Sequence, residues 1–155
     1  LFISTGIRVS ELVNLTLNEV DFEYLTIKVR RKGNKQQTIP LNTEMIALLK
    51  RYLEVRPEVE EQNLFISKKG KGVRANTVYC LVKKYLELAG LDKSKKGPHL
   101  LRHSCLTTLL AKGVNPVVIQ QLAGHSSFDT TRRYLHLNNA QIRDAVQTIN
   151  LKGDV

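Results

Sequence analysis

The sequence is short of acidic residues, of cysteine and of long apolar runs, and each shortage excludes something. No stretch approaches the roughly 20 consecutive apolar residues that a membrane-spanning helix needs, and no charged–apolar–small leader opens the chain. A membrane partner is therefore not expected. Two cysteines, Cys80 and Cys105, are too few for a disulfide framework. Both fall in apolar helical patterns and read as buried thiols in a reducing, cytoplasmic setting. There is no phosphate-cradling Gly-x-x-x-x-Gly-Lys loop and no carboxylate cluster suited to two metals. His99, His103 and Cys105 lie close together, but without a second cysteine pair they lack zinc spacing. No repeat, low-complexity tract or linker divides the chain. Its 155 residues, 42% hydrophobic, suffice for one core and one domain, residues 1–155.

What is abundant is positive charge. Twenty-four Lys and Arg against 14 Asp and Glu give a net +10. A field of that sign concentrates polyanions, of which nucleic acid is the commonest. The cations are clustered: Lys28, Arg30, Arg31, Lys32 and Lys35; then Lys68, Lys69, Lys71 and Arg74; then Lys93, Lys95 and Lys96. Acids gather elsewhere, at Glu54, Glu58, Glu60 and Glu61. Solvated loops that keep the chain soluble would explain the same clusters. Leu1 stands where a Met would open a natural chain and leads straight into Phe2-Ile3, which reads as a fragment lacking its upstream part.

Periodicity sorts the chain into elements. Leu12 and Leu15 have helical spacing within residues 8–17, after a turn at Gly6. Alternation from Phe22 to Arg30 (Leu25, Ile27, Val29), a tight turn at Gly33-Asn34 and a return through Thr38-Ile39-Pro40-Leu41 predict a β-hairpin. Asn42 or Thr43 can cap a helix striped by Met45, Ile46, Leu49, Tyr52 and Leu53 that stops before Pro57. Asn63-Leu64-Phe65-Ile66 reads as a third strand. Helices follow: one striped by Val78, Leu81, Val82, Tyr85 and Leu86 and ending at Gly90; one from His99 to Lys112; one opening at Asn115-Pro116 and ending at Gly124; one over 130–135; and a last over 140–149. The fold class is α+β, mostly helical, with a small three-stranded antiparallel sheet near the N-terminus.

Five segments stand out by their chemistry: Thr5-Gly6-Ile7-Arg8-Val9-Ser10-Glu11-Leu12, Lys32 before Gly33-Asn34, His99-Leu100-Leu101-Arg102, Gly124-His125-Ser126-Ser127, and Tyr134 nine residues after His125. His99 and Arg102, three apart, project from one face of a helix. In order and spacing the set resembles the tyrosine recombinases, the family of phage integrases and Xer recombinases. The resemblance covers nearly the whole chain. It implies an integrase-like catalytic core with Arg8, Lys32, His99, Arg102, His125 and Tyr134 as catalytic residues and Glu11 as support for Arg8.

Elementary chemistry assigns each residue a task. A phosphodiester repels nucleophiles and has a poor alkoxide leaving group. The guanidiniums of Arg8 and Arg102 present planar donor forks that match non-bridging phosphate oxygens and hold the charge of a pentavalent transition state. A tyrosine hydroxyl, with a pKa of about 10, needs a base or a strongly positive site before it can attack. His99 is the candidate base, His125 a donor to the phosphate, and Lys32 the acid that protonates the departing 5′-oxygen. Such a transesterification through a 3′-phosphotyrosine needs neither metal nor nucleotide, so no cofactor is expected. The expected phosphate contacts are Arg30, Arg31, Lys35, Lys69, Lys71, Arg74, Lys95, Lys96, Arg132 and Arg133.

Plainer readings stand beside these. Arg8 and Glu11 also suit an i,i+3 ion pair; Lys35 competes with Lys32; His103 reads as a buried hydrogen-bonding residue; Tyr24, Tyr52, Tyr79 and Tyr85 suit packing. Residues 115–134 have the look of a helix-turn-helix, so the alternative function is a non-catalytic DNA-binding module. A type IB topoisomerase would share the chemistry, but Gly124-His125-Ser126-Ser127 and the short tail favour a recombinase. Arg31 stands where members of the family often carry Gly, and Gln36-Gln37 replaces their usual acid–Arg pair, which removes one expected phosphate contact. The family's upstream DNA-gripping domain is not among these residues, which implies weak binding and poor recombination by the fragment alone. The resemblance further implies double-stranded DNA as partner, a monomer without DNA and a homo-tetramer on paired sites. Its tail helix, with Ile142, Ala145, Val146 and Ile149 on one face, would dock on a neighbouring protomer; packing on its own domain is the other reading. The expected setting is cytoplasmic, at the nucleoid of a bacterium or with a phage or other mobile element.

Overall fold

The computed structural model describes residues 1–91 and 97–124, apart from the side chain of Lys32. Helices α1 (Phe2–Thr5) and α2 (Val9–Val13) come first, then a three-stranded antiparallel sheet of β1 (Val20–Asp21), β2 (Thr26–Arg30) and β3 (Gln36–Pro40). Helices α3 (Thr43–Val55), α4 (Ala75–Leu88), α5 (Pro98–Ala111) and α6 (Pro116–Ala123) follow. The mostly helical α+β class agrees with the sequence reading.

The sheet forms where the alternation lies. Ile27 and Val29 of β2 are buried while Lys28 and Arg30 face out. Ile27 stands opposite Ile39 of β3, and Val29 opposite Gln37. The hairpin is closed by the Arg31 amide, which donates to the Lys35 carbonyl at 2.7 Å. Between them a 3₁₀ turn, Lys32–Asn34, carries Gly33 at φ 76° and Asn34 at φ 57°. Both are left-handed, the conformation glycine and asparagine tolerate best.

The third strand is not the segment expected. Residues 63–66 make only isolated bridges, Thr16 with Asn63 and Ile66 with Gly72, and the third strand is Val20–Asp21 pairing with β2. Alternation cannot separate a strand from a segment whose backbone is satisfied on both sides by loops. Here the Leu64 amide donates to Leu15 and the Val73 amide to Phe65. Helix α2 is likewise shorter than residues 8–17 suggested, and a 3₁₀ turn at Leu17–Glu19 takes over.

The helix caps are as read: the Asn42 side chain accepts from the Met45 amide at 2.9 Å, and that of Asn115 from the Val117 amide at 2.8 Å. The main core gathers Ile7, Leu15, Ile27, Val29, Ile39, Leu49, Leu64 and Val78. A second cluster, Leu106, Leu110, Ile119 and Ala123, fastens α6 to α5, while α5 also packs on α1 and α4. Leu81 and Tyr85 are exposed, because the apolar arc of α4 is wider than the surface it buries. Cys105 is buried as expected; Cys80 is exposed. Among the described residues, no helix is long and apolar enough to cross a membrane.

Candidate active site

Three arginines from distant parts of the sequence converge on one helix end, and two of them share one carboxylate. The left-handed Gly6 ends α1 and turns the chain through buried Ile7 into Arg8, which caps α2. Glu11, at the third helical position, reaches back to accept from the Arg8 amide at 2.7 Å. Its other oxygen accepts from Arg8 Nη1 at 2.9 Å and from Arg31 Nη1, also at 2.9 Å. The Glu11 side chain is 3% exposed and that of Arg31 7%, whereas that of Arg8 is 35% exposed. Arg8 is thus held from inside and presented to solvent.

The helix end is that of α6. Its last carbonyls have no partner within the helix and carry the negative end of its dipole, so cations are favoured there. Gln37 Nε2 donates to Gln121 O at 2.8 Å, and Arg31 Nη2 to Leu122 O at 2.7 Å. Ala123 O accepts from both Arg31 Nη1 at 3.0 Å and Arg102 Nη2 at 2.8 Å. Gly124 O accepts from Arg8 Nη2 at 3.3 Å. Arg102, 8% exposed, also donates through Nη1 to Gly6 O, so one guanidinium ties α5 to both the first turn and α6. Gly124 is left-handed at φ 59°, and a Cβ there would stand 2.7 Å from the Arg31 guanidinium. Only glycine permits that approach.

Burial lowers the pKa of Arg31 below its ordinary value; Glu11 opposes this and Arg8 adds to it. A guanidinium stays charged through such a shift. Two guanidiniums share the one buried carboxylate, and Arg102 lies at the same helix end, so positive charge is in excess at the site.

His99 lies in the first turn of α5 and is exposed, with its ring 6.5 Å, edge-on, from that of Tyr79. Gly97 precedes it at φ 71°, and a Cβ there would fall 2.5 Å from Tyr79. His103, expected to be buried, is exposed on α5, one residue after the buried Arg102. Lys32 opens the hairpin turn directly after Arg31. His125 and Tyr134 lie outside the described residues, as do Lys95, Lys96, Arg132, Arg133, the helices expected over 130–135 and 140–149, and the side chain of Lys32.

Of the expected phosphate contacts, Arg30, Lys35, Lys69, Lys71 and Arg74 are exposed. Arg30 has a 3.3 Å partner in Glu19 at the surface, a pairing of small energetic consequence. Arg31 is different. Its donors are engaged inside the protein, which corrects its reading as an outward phosphate contact. Gln37, by sequence only a lost phosphate contact, accepts from Arg31 Nε at 3.0 Å. The α6 carbonyl end went unnoticed because backbone acceptors leave no residue-type signal; the helix-ending Gly124 was the available clue. Among the described residues, no group of three or more His, Cys, Asp or Glu is arranged to hold a metal ion.

Comparison with known proteins bears on this geometry. The model of the phage integrase family matches residues 1–141. The chain is 43% identical over 150 residues to tyrosine recombinase XerC of Caldanaerobacter subterraneus subsp. tengcongensis, covering 94% of this chain and 42% of that protein. It is 36% identical over 149 residues to tyrosine recombinase XerD of Yersinia pestis, covering 93% and 50%. Among solved structures it is similar to XerA recombinase, with TM-score 0.80, 32% identity and coverage of 94% and 54%. It is also similar to XerH site-specific recombinase bound to its difH substrate before cleavage, with TM-score 0.81, 31% identity and coverage of 95% and 44%. The chain thus spans about half the length of the relatives it matches. With most of its length matched by the family model and its fold shared with the family's solved members, the chain belongs to the phage integrase family of tyrosine recombinases.

Proposed function

We propose that this chain is the catalytic domain of a site-specific DNA recombinase that breaks and rejoins strands through a 3′-phosphotyrosine. The observation that carries this reading is the anchoring of Arg8 and Arg102 on adjacent carbonyls, Gly124 and Ala123, with Arg8 partly open to solvent. Two guanidiniums fixed side by side, Arg8 partly open to solvent and Arg102 buried behind it, would cradle a phosphate and the charge it gains in the transition state. Family membership supports the same assignment.

In the proposed step the Tyr134 hydroxyl attacks phosphorus as His99 takes its proton, with Arg8, Arg102 and His125 on the non-bridging oxygens. The P–O5′ bond breaks, and Lys32 delivers a proton to the departing 5′-oxygen. The phosphotyrosine retains the bond's energy, so a 5′-hydroxyl from another strand reverses the step without metal or nucleotide. Arg30, Lys35, Lys69, Lys71 and Arg74, with Lys95, Lys96, Arg132 and Arg133, would contact the DNA backbone. We further propose that the protein is a monomer without DNA, binds double-stranded DNA and assembles as a homo-tetramer on paired sites, its tail helix docking on a neighbour, in the cytoplasm at the nucleoid. The 42% and 50% coverage of XerC and XerD supports a longer natural protein with a second DNA-gripping domain.

The test is incubation of the full-length protein with a nicked duplex whose cleaved fragment diffuses away. A covalent protein–DNA adduct is expected from wild type and none from Tyr134→Phe. Tight DNA binding without any adduct would instead identify a non-catalytic binding module.

A further inference from the structure

Lys32 is one residue from Arg31, and Arg31 is the most heavily engaged of the hairpin's described side chains. Its guanidinium donates to four acceptors on three separate parts of the fold: Gln37 Oε1 on β3, Glu11 Oε1 on α2, and the carbonyls of Leu122 and Ala123 at the end of α6. Gln37 adds a fifth link, from β3 to Gln121 O. The hairpin base is thereby fastened to the carboxylate that holds Arg8 and to the helix end that holds Arg8 and Arg102. A planar fork is required for this; an ammonium of similar length is a single point donor and cannot span the four acceptors. Gly124 leaves the space into which the fork fits.

We propose that Arg31 is a positioning residue for the leaving-group step: by clamping the hairpin base to Glu11 and the α6 carbonyls, it sets where Lys32 delivers its proton relative to the phosphate held by Arg8 and Arg102. The inference rests on the recombinase reading above. Arg31 itself touches neither phosphate nor leaving group. It acts through Lys32, and loosening the hairpin by about 1 Å is enough to slow the reaction about 10²-fold.

The test exploits the leaving group. In an ordinary strand the P–O5′ bond breaks and the 5′-oxygen must gain the Lys32 proton. In a substrate with sulfur at the bridging 5′ position the P–S bond breaks and a stable thiolate leaves, needing no proton. Adduct formation by the full-length protein is followed with both substrates for wild type, Arg31→Ala, Arg31→Lys, Gln37→Ala, Lys32→Ala and Arg8→Ala. Arg31→Ala and Arg31→Lys are expected to be slowed about 10²-fold on the oxygen substrate, with DNA affinity kept, and to regain nearly wild-type rates on the sulfur substrate, as Lys32→Ala does. Gln37→Ala is expected to show a smaller defect of the same kind, which guards against Arg31 variants that fold poorly. Arg8→Ala should stay slow on both.

Equal slowing of the Arg31 variants on both substrates would overturn the proposal in favour of general packing. An unaffected Arg31→Lys would overturn it in favour of simple charge. If wild type forms no adduct on either substrate, the recombinase reading falls and the positioning role falls with it.

Discussion

Arg8 and Arg31 share a single oxygen of Glu11, each Nη1 standing 2.9 Å from Oε1. Like charges are brought together only because a buried carboxylate lies between them, and the two play opposite parts. Arg8 is partly open to solvent, where it can meet an anion; Arg31 is closed off and spends its donors on the fold. One carboxylate thus aims a cation outward and locks another inward.

Removing that carboxylate strands the buried Arg31 beside Arg8. Glu11→Ala is expected to destabilise the protein by about 3–5 kcal/mol, the usual cost of breaking a buried ion pair. Glu11→Gln, which keeps an acceptor oxygen, should cost less. Urea unfolding measures both; an alanine variant as stable as wild type would mean that the shared contact does not hold the site.

Arg102 bridges Gly6 and Ala123 from within α5 while facing the same helix end as Arg8. Arg102→Lys keeps the charge but loses the fork. Covalent adduct formation is expected to fall by about 10²–10³-fold, the effect of losing one preorganised donor, with duplex binding in a gel-shift assay little changed. Parallel loss of binding and cleavage would point to a role in grip rather than in the transition state.

The two thiols should differ sharply in reactivity. Cys80 is exposed on α4; Cys105 is buried on α5, and burial pushes its pKa up, a shift that the Arg102 charge only partly opposes. Since the thiolate is the reactive form, iodoacetamide in mildly alkaline buffer should label Cys80 quickly and Cys105 only on unfolding. Peptide mass spectrometry reads the order directly, and prompt labelling of Cys105 in the native protein would contradict it.

Glu61 accepts from the Gly72 amide at 3.0 Å and the Asn63 amide at 3.3 Å, closing the loop between α3 and α4. These hydrogen bonds hold its pKa below the ordinary 4.5, with nearby Lys71 contributing. A carboxylate depressed on folding stabilises above its unfolded pKa, and that contribution is lost as pH falls through the folded value. Glu61→Gln should therefore lower Tm near neutral pH, with the gap to wild type closing as the pH drops below 4.5. A gap that persists unchanged in acid would show that charge plays no part.

Much of the fold is legible in the sequence. The hairpin announced itself in Ile27, Val29 and Ile39, and the helix starts at Asn42 and Asn115 in their capping side chains, because period and capping are local properties. The alternation at residues 63–66 does not become the third strand because pairing partners are chosen by tertiary contact: Val20 pairs with Ile27 of β2, and the Leu64 amide donates to Leu15. His103 and Cys80 are exposed where burial is expected, because periodicity gives the apolar face of a helix but not how much of it a neighbour covers.

By itself the sequence determined which residue types could do phosphoryl chemistry and in what order they come: Arg8 with Glu11, Lys32, His99 with Arg102, His125 and Tyr134. Spacing along a chain is enough for that, since motif boxes are read locally. What only the tertiary structure decided is how the charges are shared out. Arg30 and Arg31 are neighbours and look alike in sequence, yet β2 turns Arg30 to solvent, while Arg31, one step past the strand, swings into Glu11 and the open carbonyls of α6. A helix end and a buried carboxylate attract a guanidinium only once folding has brought them within reach.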